Sequence, residues 1–181
     1  RIMMNEDGTA TIQVGATELG QGSDTIFCQI VSEITSIPES RLTVISTQDT
    51  DVTPYDNGAY ASRQSYVSGG AVKKAAEILR DKLIDRAAMI LGVPAEELKL
   101  INEKIVTHDG REQMSIAMIC KHMNFIKDQH TLTEHITSEA TYTAQNICFS
   151  YGVSVIDLEV DVPIGKVHIN KVYSVHDSGQ I

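Results

Sequence analysis

The stretch Val14-Gly15-Ala16-Thr17-Glu18-Leu19-Gly20-Gln21-Gly22-Ser23-Asp24 stands between two different hydrophobic periods. Before it, Thr9-Ala10-Thr11-Ile12-Gln13-Val14 alternates polar and apolar residues, the pattern of a half-buried strand. After it, Ile26, Phe27, Ile30, Val31, Ile34 and Ile37 recur at steps of three and four, the pattern of an amphipathic helix. The stretch is therefore a strand-to-helix handover. Ser23 or Asp24 is the expected helix cap, and Pro38 predicts the end of the helix.

Gly20, Gln21 and Gly22 give this handover a chemical character. Glycine lets backbone approach a ligand closely and adopt positive φ. The helix that follows offers unpaired N–H groups and the positive end of its dipole, a combination that favours an anion such as a phosphate. Gln21 adds a neutral amide with two donors and one acceptor oxygen. The spacing Gly15, Gly20, Gly22 matches neither GxGxxG nor GxxxxGK[ST], so on spacing alone a plain strand–helix turn is the stronger reading.

A second glycine-bearing loop lies downstream. Leu42-Thr43-Val44-Ile45-Ser46 reads as a short buried strand, and roughly 18 polar residues without a period follow it, Thr47 to Gln64. Loops of that length in a compact domain are usually functional or mobile. Gly58-Ala59-Tyr60-Ala61-Ser62-Arg63-Gln64 then leads through Gly69-Gly70 into the longest helix, with a stripe of Val72, Ala75, Ala76, Leu79, Leu83, Ala87, Ile90 and Leu91. Arg63 could clamp a phosphate through two parallel N–H bonds, or pair with one of the chain's many acids.

The remainder is rich in strands. An initial strand is expected over Ile2–Met4, joined to the next by Asn5-Glu6-Asp7-Gly8. Asp109-Gly110 between extended residues predicts a hairpin, and Ser115 is expected to cap a short helix reaching about Met123. Thr131 to Thr143 reads as one long extended segment. Apolar residues fall at odd positions through Val155 and at even ones from Ile156. That change of phase predicts a bulge, or a strand passing between two packing environments. Pro163-Ile164-Gly165 turns the chain into a partner strand over Lys166–Val175.

The order strand, helix, strand, helix and then several strands predicts an α+β fold of two small lobes. A cofactor-loop lobe would span 1–92 and a second lobe, rich in antiparallel strands, 93–181. Arg1 already stands inside an element-like pattern and no closing element precedes Ile181, so a segment of a longer polypeptide is expected.

Bulk properties narrow the function. The 181 residues carry a formal net charge of −9, which argues against nucleic acid or an anionic membrane as main partner. The longest apolar run, Ala87-Ala88-Met89-Ile90-Leu91, is far short of the roughly 20 residues that cross a bilayer. Cys28, Cys120 and Cys148 are scattered without a CxxC pair, so buried thiols in a reducing cytoplasm are expected, with no zinc or iron–sulfur site. His108, His122, His130, His135, His168 and His176 show no metal-ligand spacing, so no metal ligand or catalytic residue is assigned.

With both loops in view, the chain resembles the molybdenum-cofactor-binding subunit of the xanthine dehydrogenase/aldehyde oxidase family, the molybdenum hydroxylases. GATELGQG (15–22) looks like that family's GQG loop, DTDVTPYDNGAYASRQSYVSGGAV (49–72) like its second cofactor loop and following helix, and VYSVHDSGQI (172–181) like a strand that leads to a further cofactor loop. The resemblance implies that Gln21 contacts the pterin end near the molybdenum, with Gly20 and Gly22 permitting close approach. It places Ala61 beside the metal and substrate. Ser62, Arg63 and Gln64 would bind the pterin phosphate and a cytosine dinucleotide extension. The cofactor's own dithiolene sulfurs would hold the metal. Iron–sulfur [2Fe–2S] clusters and FAD are expected on other domains or subunits, and a purine, an aldehyde or an N-heterocycle as substrate. The family's catalytic glutamate has no counterpart within 1–181, and Glu18 matches no family base, so this segment alone is expected to be inactive. A non-catalytic α+β binding or assembly module, whose glycine loops are only turns, is the competing reading.

Overall fold

The computed structural model describes residues 1–111, 113–125, 135–146 and 149–177. The alternating run forms β2 (Ala10–Gln13), paired antiparallel with β1 (Ile2–Met4) across the turn at Asn5–Gly8. The helical run forms α1 (Ser23–Thr35), and β3 (Leu42–Ile45) returns parallel to β2, with Ala10 opposite Leu42 and Gln13 opposite Ile45. α1 ends where Ser36 turns left-handed at φ 53 and its N–H donates to the Ser32 carbonyl, two residues before Pro38.

The 23-residue α2 (Gly69–Leu91) packs against α1 and against β1. Its expected stripe is buried at Val72, Ala75, Ala76, Leu79, Leu83 and Ala87, with Ile90 and Leu91 half-buried. Three of those buried positions, Ala75, Ala76 and Ala87, are alanines. Phe27, Val31, Leu79 and Leu83 are fully inaccessible at the centre of this core, each contributing roughly 1.5–3 kcal/mol of burial. Gly92 then ends α2 in the left-handed conformation at φ 69.

A second sheet of order β4-β5-β6 follows: β4 (Leu98–Ile101), β5 (Lys104–Thr107) and β6 (Gln113–Ser115), with the Asp109-Gly110 turn between the last two. The Ser115 hydroxyl accepts the Met118 N–H at 3.2 Å and caps α3 (Ile116–Phe125), as its position predicts. β7 (Thr137–Ser138) adds to β1, giving the first sheet the order β3-β2-β1-β7. Of the extended segment expected over 131–143, residues 131–134 lie outside the described residues, and of the rest only Thr137–Ser138 is strand. Helices and open, mainly antiparallel sheets make the fold α+β, as expected from the sequence.

The chain divides into two units, Arg1–Ala144 and Gln145–Ile181. Gly92 lies inside the first, because α2 packs against both β4 and α3 on the far side of that glycine. The second unit is a two-stranded antiparallel ribbon, β8 (Gly152–Asp161) and β9 (Lys166–His176). The expected bulge is there, but in β9: the register runs Asp157–Lys171 then Leu158–Ile169, leaving Asn170 over. The phase change in β8 itself is a change of face. Val153–Val175 and Val155–Tyr173 make one face apolar near the open end. Ile156–Val172, Leu158–Ile169 and Val160–Val167 make the opposite face apolar toward the turn. All ten of these side chains are exposed.

Candidate functional site

Because β2 and β3 are parallel neighbours, the loops that leave their carboxyl ends emerge on the same edge of the first sheet. In sheets with parallel strands that edge is where ligands commonly sit. The two loops are the GQG stretch and the long polar stretch singled out in the sequence.

The first loop is organised around Glu18. Its Oε1 accepts the N–H groups of Gly20 (2.6 Å) and Gly22 (3.1 Å), and its Oε2 accepts the Ser23 hydroxyl (3.0 Å) and the Asp24 N–H (3.1 Å). Gly20 and Gly22 meet this carboxylate by turning left-handed, at φ 95 and 83. The bonds from Gly22 and Asp24, with those from Ser23 and Gly20, outweigh the effect of burial and hold the Glu18 carboxyl down at about 2. One expectation is corrected. The helix cap is not the Ser23 or Asp24 side chain: Gly22 occupies the cap position without a side-chain bond, and Glu18 reaches the first-turn N–H instead. Of the N–H groups at this corner, those of Gly20, Gly22 and Asp24 are taken by an anion inside the loop. The signal was present, an acid two residues before Gly20.

Gln21 lies on top of this arrangement. Its Oε1 accepts the Leu19 N–H (2.6 Å), and its Nε2 donates to the Thr17 carbonyl (2.8 Å) and the Ser23 hydroxyl (3.1 Å). Both donor hydrogens are thereby used, and the oxygen keeps one lone pair.

The second loop crosses the first at Gly15. A Cβ built there would lie 2.0 Å from the Pro54 carbonyl oxygen and 2.9 Å from the Asp56 N–H nitrogen, so only glycine admits the crossing. Asp56 then anchors the loop. It accepts the Gly58 N–H (2.9 Å), the Ser68 hydroxyl (2.9 Å) and the Arg63 guanidinium. Burial raises the Asp56 carboxyl, but the bonds from Gly58, Arg63 and Ser68 and the charge of Arg63 outweigh it and hold the group below the usual carboxylate range. Arg63 also donates to the Gly58 carbonyl (2.8 Å) and lies over the Tyr60 ring. Its guanidinium thus pairs with an acid of its own loop. A cavity of about 230 Å³ lies beneath, lined by Gln13, Gly15, Pro54, Asp56, Arg63 and Tyr142.

Ala61 and Ser62 are left-handed at φ 48 and 57, although neither is glycine. Such a conformation costs roughly 1–2 kcal/mol per residue and concentrates at ligand-facing loops. A π-helical turn over Gln64–Ser68 leads from them into α2. Gln64 is only 9% exposed. Its Nε2 approaches the Thr17 carbonyl at 3.5 Å, the oxygen that already receives Gln21. Its Oε1 is buried with no hydrogen-bond partner among the described residues. Thr17 therefore joins the two loops, and all seven residues singled out from the sequence, Gly20, Gln21, Gly22, Ala61, Ser62, Arg63 and Gln64, belong to that joined pair.

Among the described residues no three His, Cys, Asp or Glu side chains stand close enough to share a metal ion. No helix among them is long and apolar enough to cross a membrane. Cys28 and Cys120 are free thiols; burial raises both, Cys120 to about 11. Cys148 and His130 lie outside the described residues.

A family model described as the molybdopterin cofactor-binding domain matches residues 1–181, and the chain belongs to that family. Among its relatives, the putative xanthine dehydrogenase molybdenum-binding subunit XdhA of Escherichia coli (strain K12) is 42% identical over 183 residues, covering 100% of this chain and 24% of the relative. The probable hypoxanthine oxidase XdhD of the same strain is 29% identical, covering 98% and 18%. The fold matches the reconstituted CO dehydrogenase from Oligotropha carboxidovorans (TM-score 0.78, 21% identity, 97% of this chain and 22% of that one). It matches quinoline 2-oxidoreductase from Pseudomonas putida 86 nearly as well (TM-score 0.77, 20% identity, 97% and 22%). The chain thus spans about a fifth to a quarter of the length of these relatives.

The described residues fit such a cofactor. A buried acceptor, Gln64 Oε1, lacks a donor where the loops meet. A Cβ at Gly20, Gly22 or Gly58 would meet nothing within 4 Å, so both loops turn an open glycine face outward.

Proposed function

We propose that this chain supplies the paired loops that hold molybdopterin, as its cytosine dinucleotide, in a molybdenum hydroxylase of the xanthine dehydrogenase or hypoxanthine oxidase kind. The substrate would be a purine, an aldehyde or an N-heterocycle. The cofactor, when bound, would supply the redox metal and the oxygen transfer. This chain's part is to bind and orient it. Gly20, Gln21 and Gly22 would face the pterin end, Ala61 the metal side, and Ser62, Arg63 and Gln64 the phosphate end. The rest of the same subunit would bring the catalytic glutamate, so this segment alone would be inactive. Domains or subunits with [2Fe–2S] clusters and FAD would carry electrons away, in the cytoplasm.

The observation that carries this reading is the shared Thr17 carbonyl. Gln21 and Gln64, 43 residues apart in sequence, reach one oxygen and bring the two loops within the span of a single ligand. Buried Gln64 Oε1, and the strained Ala61–Ser62 pair, lie at the same junction.

The competing reading, a binding or assembly module with plain turns, draws on the inward-spent donors of both loops. Metal analysis of the full-length protein with its partners separates them. Loss of molybdenum in Gln21→Ala with unchanged melting, and in Arg63→Ala beyond any loss of folded protein, supports the cofactor reading. Unchanged molybdenum in both variants, or none in the unsubstituted protein, refutes it.

A further inference from the structure

Glu18 belongs to no assigned role, yet it has four hydrogen-bond partners within its own loop. Three of the donors are backbone N–H groups, and two of those belong to glycines in a conformation other residues rarely adopt. The fourth, the Ser23 hydroxyl, also accepts from Gln21 Nε2. The path from Glu18 to the Gln21 amide therefore runs through one hydroxyl and through the backbone on both sides of Gln21. A carboxylate suits this place for a simple reason: it is acceptor-only, and all four neighbours are donors. A glutamine of the same shape would turn an NH₂ group toward two of them.

We propose that Glu18 is the positioning residue of the first loop, an internal anion that fixes Gly20 and Gly22 and so sets the direction of the Gln21 amide toward molybdopterin. This rests on the cofactor reading above.

The test uses the full-length protein with its partners and three measurements. The first is amide exchange of a peptide covering 17–24, with a peptide from 72–83 as internal control. The second is molybdenum per protein. The third is the Mo(V) electron paramagnetic resonance spectrum of whatever fraction is loaded. Glu18→Gln is expected to speed exchange in 17–24 at least tenfold and leave 72–83 unchanged. It should lower molybdenum at least threefold, and shift the spectrum in the same sense as Gln21→Ala. A residue that merely starts α1 would not move the spectrum. Should Glu18→Gln not accumulate, Ser23→Ala removes one of the four donors and should give a smaller shift of the same sign.

Unchanged exchange in 17–24 overturns the proposal. So does a normal spectrum in Glu18→Gln beside a shifted one in Gln21→Ala. Unsubstituted protein without molybdenum overturns the cofactor reading and the proposal together, and shows this before any substitution is made.

Discussion

Asp56 and Arg63 form an ion pair in which both side chains are largely covered, 12% and 14% exposed, and each also ties the loop backbone at Gly58. The pair closes an irregular segment that has little other regular structure. Removing one partner strands the other among atoms that cannot replace it. Asp56→Ala is expected to cost about 2–3 kcal/mol, read as a lower urea midpoint with an unchanged slope. A double-mutant cycle with Arg63→Ala should recover part of that loss.

Glu18 makes the first loop acid-sensitive. Its folded value, about 2, lies below the ordinary 4.5. The folded state therefore prefers the ionised form. Its stabilisation is complete above about pH 4.5 and is lost as pH falls toward 2. In an acid titration of loop order, followed by amide exchange of 17–24, Glu18→Gln should show a flatter profile than the unsubstituted protein in that window. Equal slopes would contradict the hydrogen-bond geometry.

Two glycines separate crowding from conformation. Gly15→Ala would drive a methyl into the Pro54 carbonyl and Asp56 backbone, so the second loop must move. An expected cost of about 3 kcal/mol or more follows. Gly20→Ala meets no neighbour but keeps φ 95, and should cost only about 1–2 kcal/mol. Melting temperatures that rank the two variants the other way would refute the crossing at Gly15.

The Cys120 thiol is buried and raised to about 11. The thiolate is the nucleophile, so folded protein should leave Cys120 unalkylated by iodoacetamide at pH 8 while denatured protein reacts fully. Rapid labelling of native Cys120, mapped by mass spectrometry, would contradict its burial.

Periodicity made much of this fold legible. Steps of three and four placed α1 and α2, and the alternation of Thr9–Val14 placed β2. Local chemistry placed the turn at Asp109-Gly110 and the Ser115 cap. What periodicity could not give was partnership between loops. That Thr17 receives both Gln21 and Gln64 depends on β2 and β3 being parallel neighbours, a long-range fact with no local signature. Likewise an acid beside two glycines reads as solvated until the backbone is seen to fold around it. Which acid Arg63 meets was likewise hidden, because only the path of 54–58 decides it.

The β8–β9 ribbon has an inside only in halves. Near its open end Val153, Val155, Tyr173 and Val175 gather on one side; toward its tip Ile156, Leu158, Val160, Val167, Ile169 and Val172 gather on the other. Asn170, the odd residue out, is what lets β9 follow the switch. A two-stranded ribbon is at best marginal in water by itself. One built this way turns its apolar rows in opposite directions at its two ends, so a single flat surface could not cover both.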